Sequence, residues 1–130
     1  MVIDSSALIA ILQLEPEAKF FAQQINLDSV RLISAASLVE ASIVLDARRS
    51  PPSAANPLDQ FIERAGISIE PITTEQAMIA RQAHRRFGRG HHPAKLNFGD
   101  CFAYALAMAA GEPLLFKGTD FGLTDIRPVA

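Results

Sequence analysis

The sequence predicts an α/β protein: a three-layer α/β/α sandwich around a central, mostly parallel sheet. Three observations carry this. Short apolar runs that read as strands alternate along the chain with segments of helical period, the pattern of strand–helix–strand units. The alanine-rich stretch Cys101–Ala110, closed by Gly111, reads as a central helix packed tightly against that sheet. At 130 residues, 49% hydrophobic and 20% charged, the chain has enough apolar material to bury a core, and one domain spanning 1–130 is expected.

Taken in order, Met1-Val-Ile-Asp4 is a strand ending in an acid, and Ser5–Leu12 continues it as a helix with serine at the cap. A second helix is expected from about Glu15 to Ile25 with Pro16 in its first turn, and a second strand from Val30 to Ile33. Ser34 caps a helix from Ala35 to about Arg49, which puts Glu40 in its second turn. Residues 50–57, with three prolines, read as a surface loop. Leu58–Ala65 is a helix stopped by Gly66, Ile67–Ile72 a short edge strand, and Thr73 or Thr74 caps a helix reaching about Phe87. Gly88–Lys95 lacks periodicity and reads as a flexible loop. After the central helix come a buried strand at Pro113–Phe116, a turn at Gly118–Asp120 and a last short strand within Ile126–Val129.

Composition excludes several classes. No apolar run approaches the roughly 20 residues of a membrane span, no basic leader precedes the first strand, and a cytoplasmic protein is expected. The single cysteine, Cys101, rules out an internal disulfide and a cysteine-based zinc site, and it reads as core packing. Gly88-x-Gly90 lacks the third glycine of a nucleotide-binding loop. The net charge of −2 hides an asymmetry: no acid lies between Glu75 and Asp100, where Arg81, Arg85, Arg86, Arg89 and Lys95 sit together with all three histidines. Arginines in such a stretch suit phosphate contacts to RNA, although on an exposed helix they are also an ordinary solvated face.

In open α/β sheets ligands bind beyond the carboxyl ends of the strands, where strand order reverses. Asp4 follows the first strand, Asp120 follows the Pro113–Phe116 strand, Asp100 opens the central helix, and Glu40 lies within reach of the same crevice. Singly, Asp100 is an ordinary acid at a helix start, Asp120 a turn residue and Glu40 a surface residue. Asp4 differs, because an acid ending a buried strand must be solvated, paired or bound. Gathered carboxylates repel one another and raise each other's pKa values unless a cation holds them. Oxygen-only ligands select a hard ion, Mg²⁺ or Mn²⁺, and such an ion suits phosphodiester hydrolysis. A small-molecule phosphatase is a weaker alternative, since Ser5 and Ser6 follow Asp4 where an Asp-x-Asp nucleophile pair would stand.

Four segments, Met1-Val-Ile-Asp-Ser-Ser-Ala-Leu8, Ser37-Leu-Val-Glu40, Asn97-Phe-Gly-Asp-Cys-Phe-Ala-Tyr-Ala-Leu106 and Leu114–Ile126, together resemble the PIN-domain ribonucleases, specifically the VapC toxins of type II toxin–antitoxin systems. The resemblance implies that Asp4 and Asp100 ligate Mg²⁺ and that Glu40 shares the metal or orients the attacking water. Asp120 is similar to the fourth acid. The family often has adjacent acids there, whereas Gly118 and Thr119 precede Asp120 here, and Asp125 is the alternative. The resemblance further implies an RNA substrate, a homodimer, and a cognate VapB antitoxin that blocks the site and through which alone the complex would meet promoter DNA. The other reading open on the sequence is a non-catalytic or DNA-directed PIN-domain regulator.

Overall fold

The computed structural model describes residues 1–48 and 57–129. The expected loop at 50–57 lies outside the described residues, apart from Pro57, as does Arg49 itself. Four strands, β1 (Val2–Ile3), β2 (Leu32–Ser34), β3 (Ser68–Glu70) and β4 (Leu114–Leu115), form one sheet in the order β3-β2-β1-β4. Every pairing is parallel, with Val2 opposite both Leu32 and Leu114, and Ile3 opposite Leu115. The chain winds outward from β1 to β3 and then returns to β4 on the other side of β1. Strand order therefore reverses beside β1, and the crevice it opens lies past the ends of β1 and β4.

The strands are apolar runs because both faces of the sheet are covered. Ile3, Ile33 and Leu115 join a core with residues of α1 (Ser5–Leu12), α2 (Ala18–Leu27), α3 (Ala35–Ala47) and α4 (Leu58–Arg64). Val2 and Leu114 point the other way, into a core with α5 (Thr74–Phe87) and α6 (Phe98–Ala110). Helix–sheet–helix is thus the layering. Among the described residues no helix is long and apolar enough to cross a membrane.

Local chemistry explains the boundaries. Thr73 Oγ1 accepts the Gln76 N–H at 3.1 Å and starts α5, while Gly111, at φ +66°, ends α6 in the left-handed region that glycine favours. Four expectations are corrected. The cap of α1 is Asp4 itself, in extended backbone, and not a serine. Helix α2 begins at Ala18, because Leu14 turns at φ +54° and Pro16 falls before the helix. Helix α3 ends at Ala47, with Arg48 as its C-cap. The segment Ile126–Val129 makes one bridge, Leu114 to Pro128, and no strand; Pro128 has no N–H to extend the ladder.

Candidate metal-dependent active site

The parallel sheet sends β1, β2 and β4 toward one edge, and the site is built from residues at and just beyond their carboxyl ends. Asp4 leaves β1 and immediately caps α1: its Oδ2 accepts from the Ser6 N–H at 3.0 Å and from the Ser6 hydroxyl at 2.6 Å. Ser6 Oγ in turn accepts the Lys117 N–H at 2.9 Å, tying the end of β1 to the segment leaving β4. Asp4 is 3% exposed, and its second oxygen, Oδ1, is buried with no partner among the described residues. Burial raises its pKa from 3.8 to about 6; the two Ser6 hydrogen bonds oppose this, and the charges of Asp100 and Glu40 add to it.

Glu40 comes from α3, whose first turn is capped by Ser34 at the end of β2. Its Oε1 accepts from the Ser5 hydroxyl at 2.5 Å. Its other side meets the backbone at Gly99, where an added Cβ would collide with Oε2 and lie 2.9 Å from Cδ. Glycine at 99 is therefore what lets Glu40 reach the start of α6. Asp100 stands there in a capping box: Asn97 Oδ1 accepts the Asp100 N–H at 2.9 Å, and Asp100 Oδ2 accepts the Asn97 N–H at 3.0 Å. Burial raises the Asp100 pKa, with Glu40 and Asp120 adding to the rise.

Asp4, Glu40 and Asp100 are thus brought close enough that the charges of Asp100 and Glu40 act on Asp4, and Asp120, exposed beyond β4, adds its charge at Asp100. Among the described residues no three acids, histidines or cysteines already stand in a ligating arrangement. One oxygen each of Glu40 and Asp100 is held by a hydrogen bond instead. The unpartnered Oδ1 of Asp4 is the group that a cation would satisfy, and the all-oxygen donor set suits a hard divalent ion.

Asp125, the alternative to Asp120, is engaged by other partners. It accepts from Tyr104 Oη at 2.6 Å and pairs with Arg86 at 3.3 Å. The five cations differ in their surroundings. Arg86 is tied to Asp125 and lies 4.6 Å over the Phe87 ring. Arg81 borders an apolar pocket with Phe98, Cys101 and Phe102, Arg85 is exposed on α5, and Arg89 and Lys95 lie on the loop before α6.

The residues that sequence reasoning missed are Ser5, Ser6 and Gly99. Two serines directly after a strand-terminal acid were the available signal, since short hydroxyl side chains bond locally to neighbouring acids and amides. For Gly99 there was none, because its role depends on a contact with a residue 59 positions earlier.

A family model described as the PIN domain matches residues 1–126. The chain belongs to the PIN-domain family, among its VapC ribonucleases. It is 47% identical over 130 residues to "Ribonuclease VapC30" of Mycobacterium tuberculosis, covering all of this chain and 98% of the relative. It is 47% identical over 129 residues to "Ribonuclease VapC" of Mycolicibacterium smegmatis, covering 99% of each. This VapC chain also has the fold of the crystal structure of Mycobacterium tuberculosis VapC20, described as a sarcin–ricin loop cleaving toxin. The TM-score there is 0.71 at 17% identity, covering 98% of each chain. A toxin–antitoxin complex from Klebsiella pneumoniae matches with a TM-score of 0.67 at 19% identity, over 92% of this chain and 88% of that one.

Proposed function

We propose that this VapC-family ribonuclease is a divalent-metal-dependent endoribonuclease, the cytoplasmic toxin of a toxin–antitoxin pair, with Asp4, Glu40 and Asp100 as its metal-holding acids and Asp120 as the fourth. The observation that carries the reading is Asp4: a buried carboxylate at the point where strand order reverses, with one oxygen fixed by Ser6 and the other without a partner among the described residues. Bound there, Mg²⁺ or Mn²⁺ supplies a water of lowered pKa and neutralises charge developing on a phosphodiester.

The chain's own residues prepare that site. Ser6 orients Asp4 so that Oδ1 is presented, Ser5 fixes Glu40 through Oε1, and the capping box fixes Asp100 at the start of α6. An N-terminal helix end also favours the anionic phosphate of a substrate. Water activated at this site leaves a 5′-phosphate and a 3′-hydroxyl.

A groove of about 450 Å³ between α3 and α6 is lined by Val39, Ile43, Phe98 and Phe102 beside Glu40. Phe98 is 80% exposed and Ile43 63%. Apolar surface of this extent next to the acids supports an antitoxin segment as the inhibitor, with a second copy of the chain as the homodimer partner elsewhere and promoter DNA reached through the antitoxin. The test is cleavage of a mixed RNA panel by purified protein with Mg²⁺, with EDTA and with the Asp4→Asn variant. Metal-dependent 5′-phosphate products that the variant does not form are expected; wild-type rates from Asp4→Asn would overturn the reading.

A further inference from the structure

Of two cationic depressions among the described residues, the one bordered by Lys19, Arg31 and Arg64 lies against α2 and α4, whereas the second lies on the loop that leads into the first turn of α6. It measures about 410 Å³ and is lined by Arg89, Gly90, His91, His92, Pro93 and Lys95, with no carboxylate on its wall. The sequence reads this segment as a flexible loop, yet its backbone is closed on itself. Arg89 N–H donates to Leu96 O at 2.9 Å and Leu96 N–H to Phe87 O at 3.0 Å, fastening the two ends together. Inside, the N–H groups of His91 and His92 donate to Gly88 O, Lys95 N–H donates to His92 O, and Ala94 N–H donates to His92 Nδ1. His91 Nε2 lies 2.7 Å from His84 O and is therefore a donor there. Ala94 and Leu96 are fully buried and anchor the loop in the core.

With the N–H groups of Arg89, His91, His92, Ala94, Lys95 and Leu96 paired internally, what this loop chiefly offers a ligand is its side chains. Arg89 and Lys95 are exposed, and neither pairs with an acid among the described residues. Lys95 also holds φ +54°, a region that side chains with a Cβ adopt at a cost and that glycine adopts freely. The Lys95 side chain is exposed and makes no hydrogen bond among the described residues; the conformation is held by the Lys95 N–H bond to His92 O and by buried Ala94 and Leu96 on either side. Strain of this kind is a pointer to function. The loop runs directly into Asn97 and the first turn of α6, so Lys95 is five residues from Asp100, at most about 18 Å of chain.

We propose that the 88–96 loop is a backbone-phosphate subsite for single-stranded RNA, with Arg89 and Lys95 as its cations and His91 and His92 forming the rest of its wall. It rests on the ribonuclease reading and deepens it. At roughly 3.4 Å per nucleotide of stacked strand, the subsite falls within about five nucleotides of the acids. It recognises charge and not base identity, so it would govern affinity across sequences.

The test measures binding of a 20-nucleotide RNA by fluorescence anisotropy in EDTA from 50 to 200 mM salt, alongside cleavage of the same RNA with Mg²⁺. Arg89→Gln/Lys95→Gly is compared with Lys19→Gln/Arg64→Gln, which removes the same charge from the opposite layer. Each phosphate-binding cation adds about 0.7 to the salt slope, so removing two makes the first variant about sevenfold less sensitive to that salt change. Its affinity falls at low salt, and Lys95→Gly alone does not lower the melting temperature. A salt slope equal to that of the control, in a variant that still cleaves, overturns the subsite. Unchanged RNA binding with lost binding of polyglutamate also overturns it and assigns the loop to an acidic polypeptide. Absence of any cleavage by the wild type strikes the ribonuclease reading instead.

Discussion

Replacing Asp4 with asparagine should abolish cleavage and at the same time stabilise the metal-free protein at neutral pH. The folded chain holds the Asp4 proton up to about pH 6, against 3.8 for an ordinary aspartate. A group whose folded pKa is raised contributes stability that is fully present below the unfolded value and is lost as pH rises through the folded one. At about 1.4 kcal/mol for each pH unit, the gap from 3.8 to about 6 amounts to about 3 kcal/mol by pH 7.5.

Asparagine removes that charge. Its carbonyl oxygen, placed where Oδ2 is, keeps both Ser6 hydrogen bonds, while its amide group takes the unpartnered Oδ1 position and gives back about 1–2 kcal/mol as an unsatisfied buried donor. The net gain is about 1–2 kcal/mol, a rise of about 3–8 °C in melting temperature for a chain of this size. The assay is thermal unfolding by circular dichroism in EDTA from pH 5 to 8. Wild-type stability should fall relative to Asp4→Asn across that range, and added Mg²⁺ should raise the wild type alone, since binding to the folded state stabilises it. A variant no more stable than wild type at pH 7.5, with a parallel pH profile, would refute the reasoning.

Gly99→Ala puts a methyl group against the Glu40 carboxylate, which must swing aside; cleavage should fall at least about tenfold while stability changes by less than about 1 kcal/mol, because a flexible side-chain end gives way and alanine suits a helix better than glycine, read by single-turnover kinetics and urea unfolding. Ser6→Ala strips a hydrogen bond from Asp4 and leaves the Lys117 N–H unpaired. About 1–2 kcal/mol of stability should go, the Asp4 pKa should move further up, and the pH at which cleavage reaches half its maximum should rise with it. Asp125→Asn weakens the link to Tyr104 and Arg86, so it should lower stability by about 1–2 kcal/mol while Mg²⁺ affinity by calorimetry stays at the wild-type value. Asp120→Asn should do the reverse, weakening Mg²⁺ binding without a loss of stability.

Most of the fold was legible because its signals are local. Ser34 and Thr73 stand at helix starts, Gly66 and Gly111 at helix ends, and each works through atoms within a few residues of itself. The apolar runs at Val2–Ile3 and Leu114–Leu115 announce a sheet covered on both faces. Where the reading slipped, a longer-range or subtler choice decided. Asp4 outcompeted Ser5 for the cap because its backbone is already extended on leaving β1. The 88–96 loop lacked periodicity and so read as flexible, whereas its order comes from cross-loop hydrogen bonds and two buried side chains that no period encodes.

The candidate site divides along the same line. Three acids could be named from strand ends and a helix start, but their states could not, because charge on Asp4 depends on Ser6, Glu40 and Asp100 together. The fold maintains an energetic conflict at this point. Burial and two neighbouring acids push Asp4 toward neutrality, Ser6 pulls it back, and Oδ1 is left without a partner among the described residues. A site selected only for stability would carry asparagine or serine there. A carboxylate held in that conflict gains most from a divalent cation, so the strain that weakens the metal-free fold strengthens the preference for a metal-bound one. Asp125, satisfied by Tyr104 and Arg86, carries no such conflict. That contrast between two aspartates of the same chain, one starved of partners and one supplied, is the physical ground for proposing Asp4 and not Asp125 as a metal ligand, beyond its position in a motif.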